Sequence, residues 1–113
     1  MIRQDQPFYL EIAPVTPHVL GGGKPTVPPL RYNDSFPGLK APRVPNWNPS
    51  DHYTEQKVAW LRDMPLMNET IVDLADLAYQ KRAEALLGVD DLVSDIIDML
   101  EDKGILDETY GAP

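Results

Sequence analysis

The chain contains no cysteine among its 113 residues, so disulfides and thiolate metal sites are excluded. It has no apolar run near the length that crosses a bilayer, and its polar start, Met1–Gln6, is not typical of a signal peptide. It shows no internal repeat. A chain of this length predicts one small domain rather than two with independent cores.

Basic residues are scarce in the second half of the chain. Residues 1–50 hold five Lys or Arg against three Asp or Glu, whereas residues 51–113 hold five against fifteen. The first half therefore carries a net charge of +2 and the second half -10, which together give the net charge of -8. An acidic half of this kind argues against nucleic acid or an anionic membrane as its partner.

Proline is abundant instead, and it bounds one short apolar run. Aromatic and β-branched residues between Pro7 and Pro14 predict a mostly buried strand at 8–13. Pro17 then stiffens the path to His18, just beyond the carboxyl end of the predicted strand. Open α/β sheets place ligand-contacting residues there. From the residues alone, an ordinary surface-loop histidine is the favoured interpretation.

The segment 19–53 is predicted to be an irregular loop, because ten of the twelve prolines lie at or before residue 49. Gly21–Gly23 lacks the spacing of a phosphate-binding loop, and a flexible turn is the better interpretation. The basic side chains of this loop could face an anionic ligand or could serve only as solubilising charges. They are Lys24, Arg31, Lys40 and Arg43.

The strongest periodic signal is a long amphipathic helix at 68–104. Asn68 is a suitable N-cap and Gly104 a suitable C-cap, and Gly88 is not expected to interrupt the helix. Apolar residues recur at spacings of three, four and seven, which keeps them on one face. This stripe comprises Ile71, Leu74, Ala78, Ala85, Val89, Leu92, Ile96 and Leu100.

Weaker signals complete the chain. A short helix is predicted at 54–64 with Thr54 as its cap, and the start of a second strand at 105–113. A right-handed crossover would make the two strands parallel neighbours. The pair Asp90-Asp91 could serve acid–base chemistry or bind a hard cation, but a solvated face is favoured. His52 has no partner at ligand spacing, so a solvated histidine is favoured there too.

Three blocks of the chain carry a family resemblance. FYLEIAPVTPH, which ends at His18, resembles the FFLxIAPxxPH segment of the formylglycine-dependent, type I sulfatases. KAPRVPNWN at 40–48 is similar to their APRxPNWN segment, and 88–110 is similar to VDDLVxxIxxxLExxGxLDNTY. The blocks occur in the family's order and cover nearly the whole chain. The nearest branch is that of the arylsulfatases and N-acetylglucosamine-6-sulfatases.

The resemblance implies a partial alkaline-phosphatase/sulfatase-like α/β fold, with residues 1–113 forming one partial, internal piece of a sulfatase domain. It implies that His18 is the family histidine that contacts the substrate's sulfate. The family uses calcium and a cysteine oxidised to formylglycine; the cysteine and the calcium carboxylates of its motifs do not occur here, so the chain alone is predicted to be inactive. The alternative is a catalytically inactive interaction module that docks through the acidic amphipathic helix.

The resemblance also concerns partners and localisation. It implies a sulfate ester as the substrate of the full-length family, no nucleic acid, no membrane partner, and a secreted or lysosomal protein. Asn68 and Asn33 begin N-x-[ST] sequences and are the glycosylation candidates. The capping role of Asn68 is by itself a sufficient structural explanation for that residue.

Overall fold

One long helix organises the molecule. The computed structural model describes residues 6–49 and 51–111, in which the helices are α1 (Asp51–Thr54), α2 (Ala59–Arg62) and α3 (Glu69–Asp102). Short 3-10 turns lie at Gly21–Gly23, Leu30–Tyr32 and Leu106–Glu108. With 34 residues, α3 is about 51 Å long. The radius of gyration is 20.3 Å, against about 13 Å for a compact domain of this length.

Both ends of α3 are fixed by local hydrogen bonds. At the start, the Asn68 side chain accepts a hydrogen bond from the backbone N–H of Ile71 (3.0 Å). At the end, Gly104 has a φ of 66° and its N–H donates to Glu101 O (2.8 Å). The N–H of Ile105 donates to Leu100 O (3.1 Å), which completes a Schellman motif. The helix lies inside the predicted range 68–104 and runs unbroken through Gly88.

The proline-rich loop lies along α3 in the antiparallel direction. Tyr32 contacts Asp91, Ala41 contacts Asp76, and the side chain of Asn48 exchanges two hydrogen bonds with the backbone of Met67 (2.7 and 2.9 Å) just before the helix. We call residues 29–48 the docked loop. It supplies tertiary contacts along one side of α3, in addition to the hydrogen bonds within the helix.

The closest approach of loop and helix is at Gly88. A Cβ atom at this position would lie 2.8 Å from Cγ of Pro29, which is closer than carbon atoms pack. Glycine is therefore the residue that lets Pro29 lie against the helix backbone. This role could not be predicted from local sequence patterns, because Pro29 and Gly88 are far apart along the chain.

We expect Gly88→Ala to loosen the docked loop, because overpacking costs about 1–3 kcal/mol while alanine favours the helix by about 1 kcal/mol. The amides of Tyr32 and Asn33, which donate to Pro29 O and Leu30 O, should then exchange hydrogen faster. Ser94→Ala is the control, because it raises helix propensity at an exposed position of α3. Unchanged exchange in Gly88→Ala would contradict the packing argument.

The apolar stripe of α3 is only partly covered. Within the described residues, the buried hydrophobic side chains are those of Ala41, Ala85 and Leu100. Ile71 and Leu74, at the start of the stripe, are 45% and 48% exposed. The other stripe residues are half-buried, and large apolar side chains beside the stripe are exposed: Tyr79, Leu86, Val93 and Ile97. The described part of the chain therefore leaves much of the apolar face of α3 exposed.

The predicted strands are not observed among residues 6–49 and 51–111. Residues 8–13 have no regular secondary structure and no ladder partner; the one bridge in the described chain joins Leu20 and Lys24. The predicted second strand starts as the 3-10 turn Leu106–Glu108, where Thr109 Oγ1 donates to Ile105 O (2.6 Å). Because a strand needs a neighbour to satisfy its backbone, neither segment forms a sheet alone. The last two residues of 105–113 lie outside the described part.

The predicted helix at 54–64 also differs from the structure. Two single-turn helices, α1 and α2, flank a turn, and Thr54 is the last residue of α1 rather than an N-cap. Val58 lies between them as the N-cap of α2 (φ -59°, ψ 150°), and its carbonyl oxygen accepts from Leu61 and Arg62 (2.9 Å each). β-Branched residues are weak helix formers, and the short apolar pattern did not reveal that the helix is interrupted at Val58.

Candidate functional site

His18 lies on an exposed turn that follows residues 8–13. The Thr16–Pro17 peptide bond is cis, and the backbone N–H of His18 donates to Val15 O (2.9 Å). The imidazole Nδ1 lies 2.7 Å from the carbonyl oxygen of Val19. The ring is thus oriented by its own backbone and open to solvent, although no paired strand ends beside it in the described residues.

The glycines after His18 form a tight turn. Leu20 N–H donates to Lys24 O (2.9 Å), and the two residues form an antiparallel bridge around Gly21–Gly23. Gly22 and Gly23 have φ values of 76° and 73°, which side chains rarely adopt. The turn fits the sequence interpretation of a turn rather than a phosphate-binding loop.

Arg43 is bound to the helix rather than to a ligand site. Its Nη2 donates to Asp76 Oδ2 (2.6 Å), its Nη1 donates to Ala41 O (2.6 Å), and its guanidinium lies 4.2 Å from the ring centre of Trp47. Asp76 is buried and also accepts from the backbone N–H of Ala41 (3.0 Å). The hydrogen bond from Arg43 lowers the pKa of Asp76, with smaller help from Ala41.

A second anchor joins the loop to Asp91. The Tyr32 hydroxyl donates to Asp91 Oδ1 (2.6 Å), and Arg31 pairs with Asp91 Oδ2. The hydrogen bond from Tyr32, followed by that from Arg31, lowers the pKa of Asp91. Both carboxylate oxygens of Asp91 are thus bonded to the docked loop, whereas the neighbouring Asp90 is exposed. Arg31, like Arg43, has its charge engaged by a carboxylate of α3.

A third anchor contains a fully buried carboxylate. Glu84 accepts hydrogen bonds from Lys81 Nζ and Gln80 Nε2, both at 2.8 Å, and Lys81 also donates to Asn33 Oδ1 (2.8 Å) and Asp34 Oδ1 (3.1 Å). Burial acts to raise the pKa of Glu84, but the bonds from Lys81 and Gln80 outweigh it and the pKa is lowered. The bond to Glu84 raises the pKa of Lys81.

These three anchors were not predicted from the sequence. A solvated face was favoured for Asp90-Asp91, whereas Asp91 is bonded to the docked loop, as are Asp76 and Glu84. The available signal was the opposite charge of the two halves of the chain. A basic loop followed by a strongly acidic helix can pair within one molecule, and here it does.

The other candidate residues have local roles. His52 is exposed and its ring packs edge-on against Tyr53 at 5.2 Å. Asn68 is the N-cap of α3, and the Asn33 side chain, besides accepting from Lys81, donates to Asp34 Oδ2 (2.8 Å). Whether Asn68 or Asn33 carries a glycan stays a prediction.

The donor groups of the described residues do not form a site for the calcium that the sulfatase resemblance implies. In residues 6–49 and 51–111, no three His, Asp or Glu side chains are arranged to hold a metal ion. The sequence has no cysteine from which formylglycine could form. We therefore assign no calcium ligand and no nucleophile here. In the same described residues, no helix is both long and apolar enough to span a membrane.

Comparison with known proteins identifies the class to which the chain is related. It is 32% identical to "Sulfatase ppz1" of Metarhizium majus over 96% of the chain, which corresponds to 26% of that protein. The chain is thus related to the sulfatases over nearly its whole length, which confirms the resemblance carried by the three sequence blocks. This relationship implies an α/β fold of the alkaline-phosphatase-like superfamily for the parent domain.

The particular relatives are arylsulfatases and N-acetylglucosamine-6-sulfatases. The chain is 36% identical to human N-acetylglucosamine-6-sulfatase over 93% of its length, and 28% identical to an arylsulfatase of Volvox carteri over 96%. It spans 18% and 19% of those two proteins. No family model matches the chain. No solved structure matches it either.

Proposed function

We propose that this chain is part of a sulfuric ester hydrolase in which His18 contacts the sulfate group of the substrate. The observation that carries the proposal is the relationship to sulfatases along 93–96% of the chain, including the block that ends at His18. Because the chain spans about a quarter or less of these relatives, the rest of the catalytic apparatus belongs to other parts of such an enzyme.

The geometry around His18 suits a ligand-contacting role. The imidazole is exposed, and one of its nitrogens is bonded to the backbone, so the ring has a fixed orientation and one nitrogen remains for a ligand. A protonated imidazole is a hydrogen-bond donor for an anionic sulfate oxygen. Arg31 and Arg43 bind helix carboxylates, so we assign neither of them to the substrate.

We further propose that residues 8–13 and the apolar face of α3 are buried in the complete domain. Tyr9 is 85% exposed, whereas its neighbours Phe8 and Leu10 are 39% and 51% exposed, which is the alternation of a strand with one more buried face. A sheet supplied by the rest of a sulfatase domain would pair the backbone of 8–13 and cover the exposed side chains of α3.

A chimaeric enzyme tests the role of His18. Residues 7–110 would replace the corresponding segment of the Volvox arylsulfatase, and hydrolysis of a chromogenic aryl sulfate would be measured with His18 intact and with His18→Ala. We expect His18→Ala to lower kcat/KM by about 10- to 100-fold, because a hydrogen bond to a charged group contributes about 1.5–3 kcal/mol. His52→Ala is the matched control and should retain activity. Equal activity of both variants would refute the assignment.

The isolated chain is expected to show no sulfatase turnover. It lacks the cysteine that sulfatases oxidise to their formylglycine nucleophile. A histidine that binds the sulfate does not replace this nucleophile. The measurement is hydrolysis of a chromogenic aryl sulfate with added calcium. Hydrolysis that disappears in His18→Ala would contradict this expectation.

A further inference from the structure

We infer that His18 contacts its anionic ligand through Nε2 alone, because Nδ1–H is committed to the carbonyl oxygen of Val19. This inference rests on the proposed function for the identity of the ligand. The assignment of the two nitrogens rests on geometry alone. The two parts can therefore fail separately.

The Nδ1 to Val19 O distance of 2.7 Å fixes which atom carries the proton. A carbonyl oxygen has no hydrogen and can only accept, so Nδ1 must be the donor in the neutral ring as well as in the charged ring. An imidazole side chain free in water favours the proton on Nε2. The backbone of Val19 therefore reverses the ordinary tautomer of His18.

The rest of the turn keeps this contact in place. The backbone N–H of His18 is bonded to Val15 O (2.9 Å), and Leu20 N–H is bonded to Lys24 O (2.9 Å). The residues before and after Val19 are thus both fixed by backbone hydrogen bonds. These local bonds hold the Val19 carbonyl beside the ring.

The reversed tautomer determines what Nε2 can do. In the neutral ring Nε2 is an acceptor and offers no hydrogen to a sulfate oxygen. In the protonated ring Nε2–H is a donor that points away from the backbone, and its charge strengthens a bond to an anion. Gain or loss of this proton leaves the Nδ1–H bond to Val19 intact. The ring can therefore change charge without turning.

Nitrogen-15 NMR of the full chain, labelled at histidine, tests the tautomer directly. In the neutral ring we expect the His18 Nδ1 to show the shift of a protonated nitrogen and Nε2 that of an unprotonated one. His52 is the internal control, because no ring hydrogen bond is found for it in the described residues, and it should show the ordinary Nε2–H preference. A His18 pattern equal to that of His52 would overturn the inference.

Sodium sulfate, compared with sodium chloride at equal ionic strength, then tests the ligand. With the rings protonated, sulfate should shift the His18 Nε2 resonance more than Nδ1 and leave His52 unchanged. An Nδ1–H tautomer without a sulfate response would count against the proposed function and leave the tautomer standing. A sulfate response with an Nε2–H tautomer would do the reverse.

Two variants give an independent measurement. The amide nitrogen of glutamine can occupy the position of Nε2, whereas that of asparagine reaches only the position of Nδ1. We expect His18→Gln to keep the sulfate-induced shifts of the turn amides, and His18→Asn to lose them. The opposite order would overturn the inference. Because the His18 side chain is exposed, both variants should leave α3 unchanged by circular dichroism.

Discussion

Glu84→Ala is expected to release the docked loop from α3. Glu84 is fully buried and its carboxylate is the partner of Lys81, so its loss leaves a cavity and a cationic group without its main partner. Breaking a buried ion pair in this way costs about 3–5 kcal/mol, which is large for a molecule with so few buried hydrophobic side chains. Trp47 fluorescence during a urea titration measures the release.

The chain has two tryptophans, Trp47 in the docked loop and Trp60 in α2, and both contribute to the fluorescence. Trp60 is 70% exposed and lies outside the docked loop, so Trp60→Phe serves as the background in which Trp47 reports alone. Asp95→Ala removes an exposed carboxylate of the same helix and should change stability by less than about 0.5 kcal/mol. If Glu84→Ala and Asp95→Ala lost the same stability, the buried pair would not be an anchor.

Acidification is expected to undock the loop while α3 remains helical. The pKa values of Asp76 and Asp91 are lowered by their bonds to Arg43, Tyr32 and Arg31. A lowered folded-state pKa contributes stability that is present above the ordinary value of 3.8 and is lost as the pH falls through the folded value. The loss is therefore expected below about pH 4. It should appear as a change in Trp47 fluorescence.

The helix responds in the opposite direction, which separates the two events. α3 carries ten Asp or Glu and two Lys or Arg, so protonation reduces repulsion along the helix. Its circular dichroism at low pH should stay constant or increase. Asp76→Asn should remove part of the acid transition, while Asp98→Asn, at an exposed position, should not. Simultaneous loss of helix and Trp47 signal would contradict the separation.

The docked loop is also expected to lose stability at high pH. The pKa of Lys81 is raised by Glu84, so the stability it contributes is fully present below its ordinary value of 10.5 and is lost as the pH rises through the folded value. The docked loop is thus expected to be most stable between the acid and alkaline limits. Added salt should weaken the exposed Arg31 pair more than the buried Glu84 pair.

The helix could be predicted because its signals are local. Asn68 and Gly104 cap it through residues one turn away or less, and the apolar spacing of three, four and seven is a property of neighbouring turns. The position of His18 directly after the proline-flanked residues 8–13 was equally local. Three sequence blocks also sufficed to indicate the sulfatase relationship that the comparisons confirmed.

The docking of the loop could not be predicted in the same way. The pairs Arg43–Asp76 and Arg31–Asp91 join residues that are 33 and 60 positions apart, and no local pattern selects one carboxylate of an acidic helix over its neighbours. The predicted strands are not observed for a related reason. A strand forms only when its backbone hydrogen-bonds to a neighbouring strand, and the described residues provide no such neighbour for 8–13.

By itself, the sequence determined the long helix with its caps, the histidine-bearing turn and the kinship with sulfatases, because each depends on residues close together along the chain. Only the tertiary structure decided that Arg31 and Arg43 are bound to helix carboxylates, that Glu84 is buried with Lys81, and that Nδ1 of His18 faces a backbone carbonyl. The physical reason is that charge and hydrogen-bond partners are chosen by distance in space, which spacing along the chain does not specify.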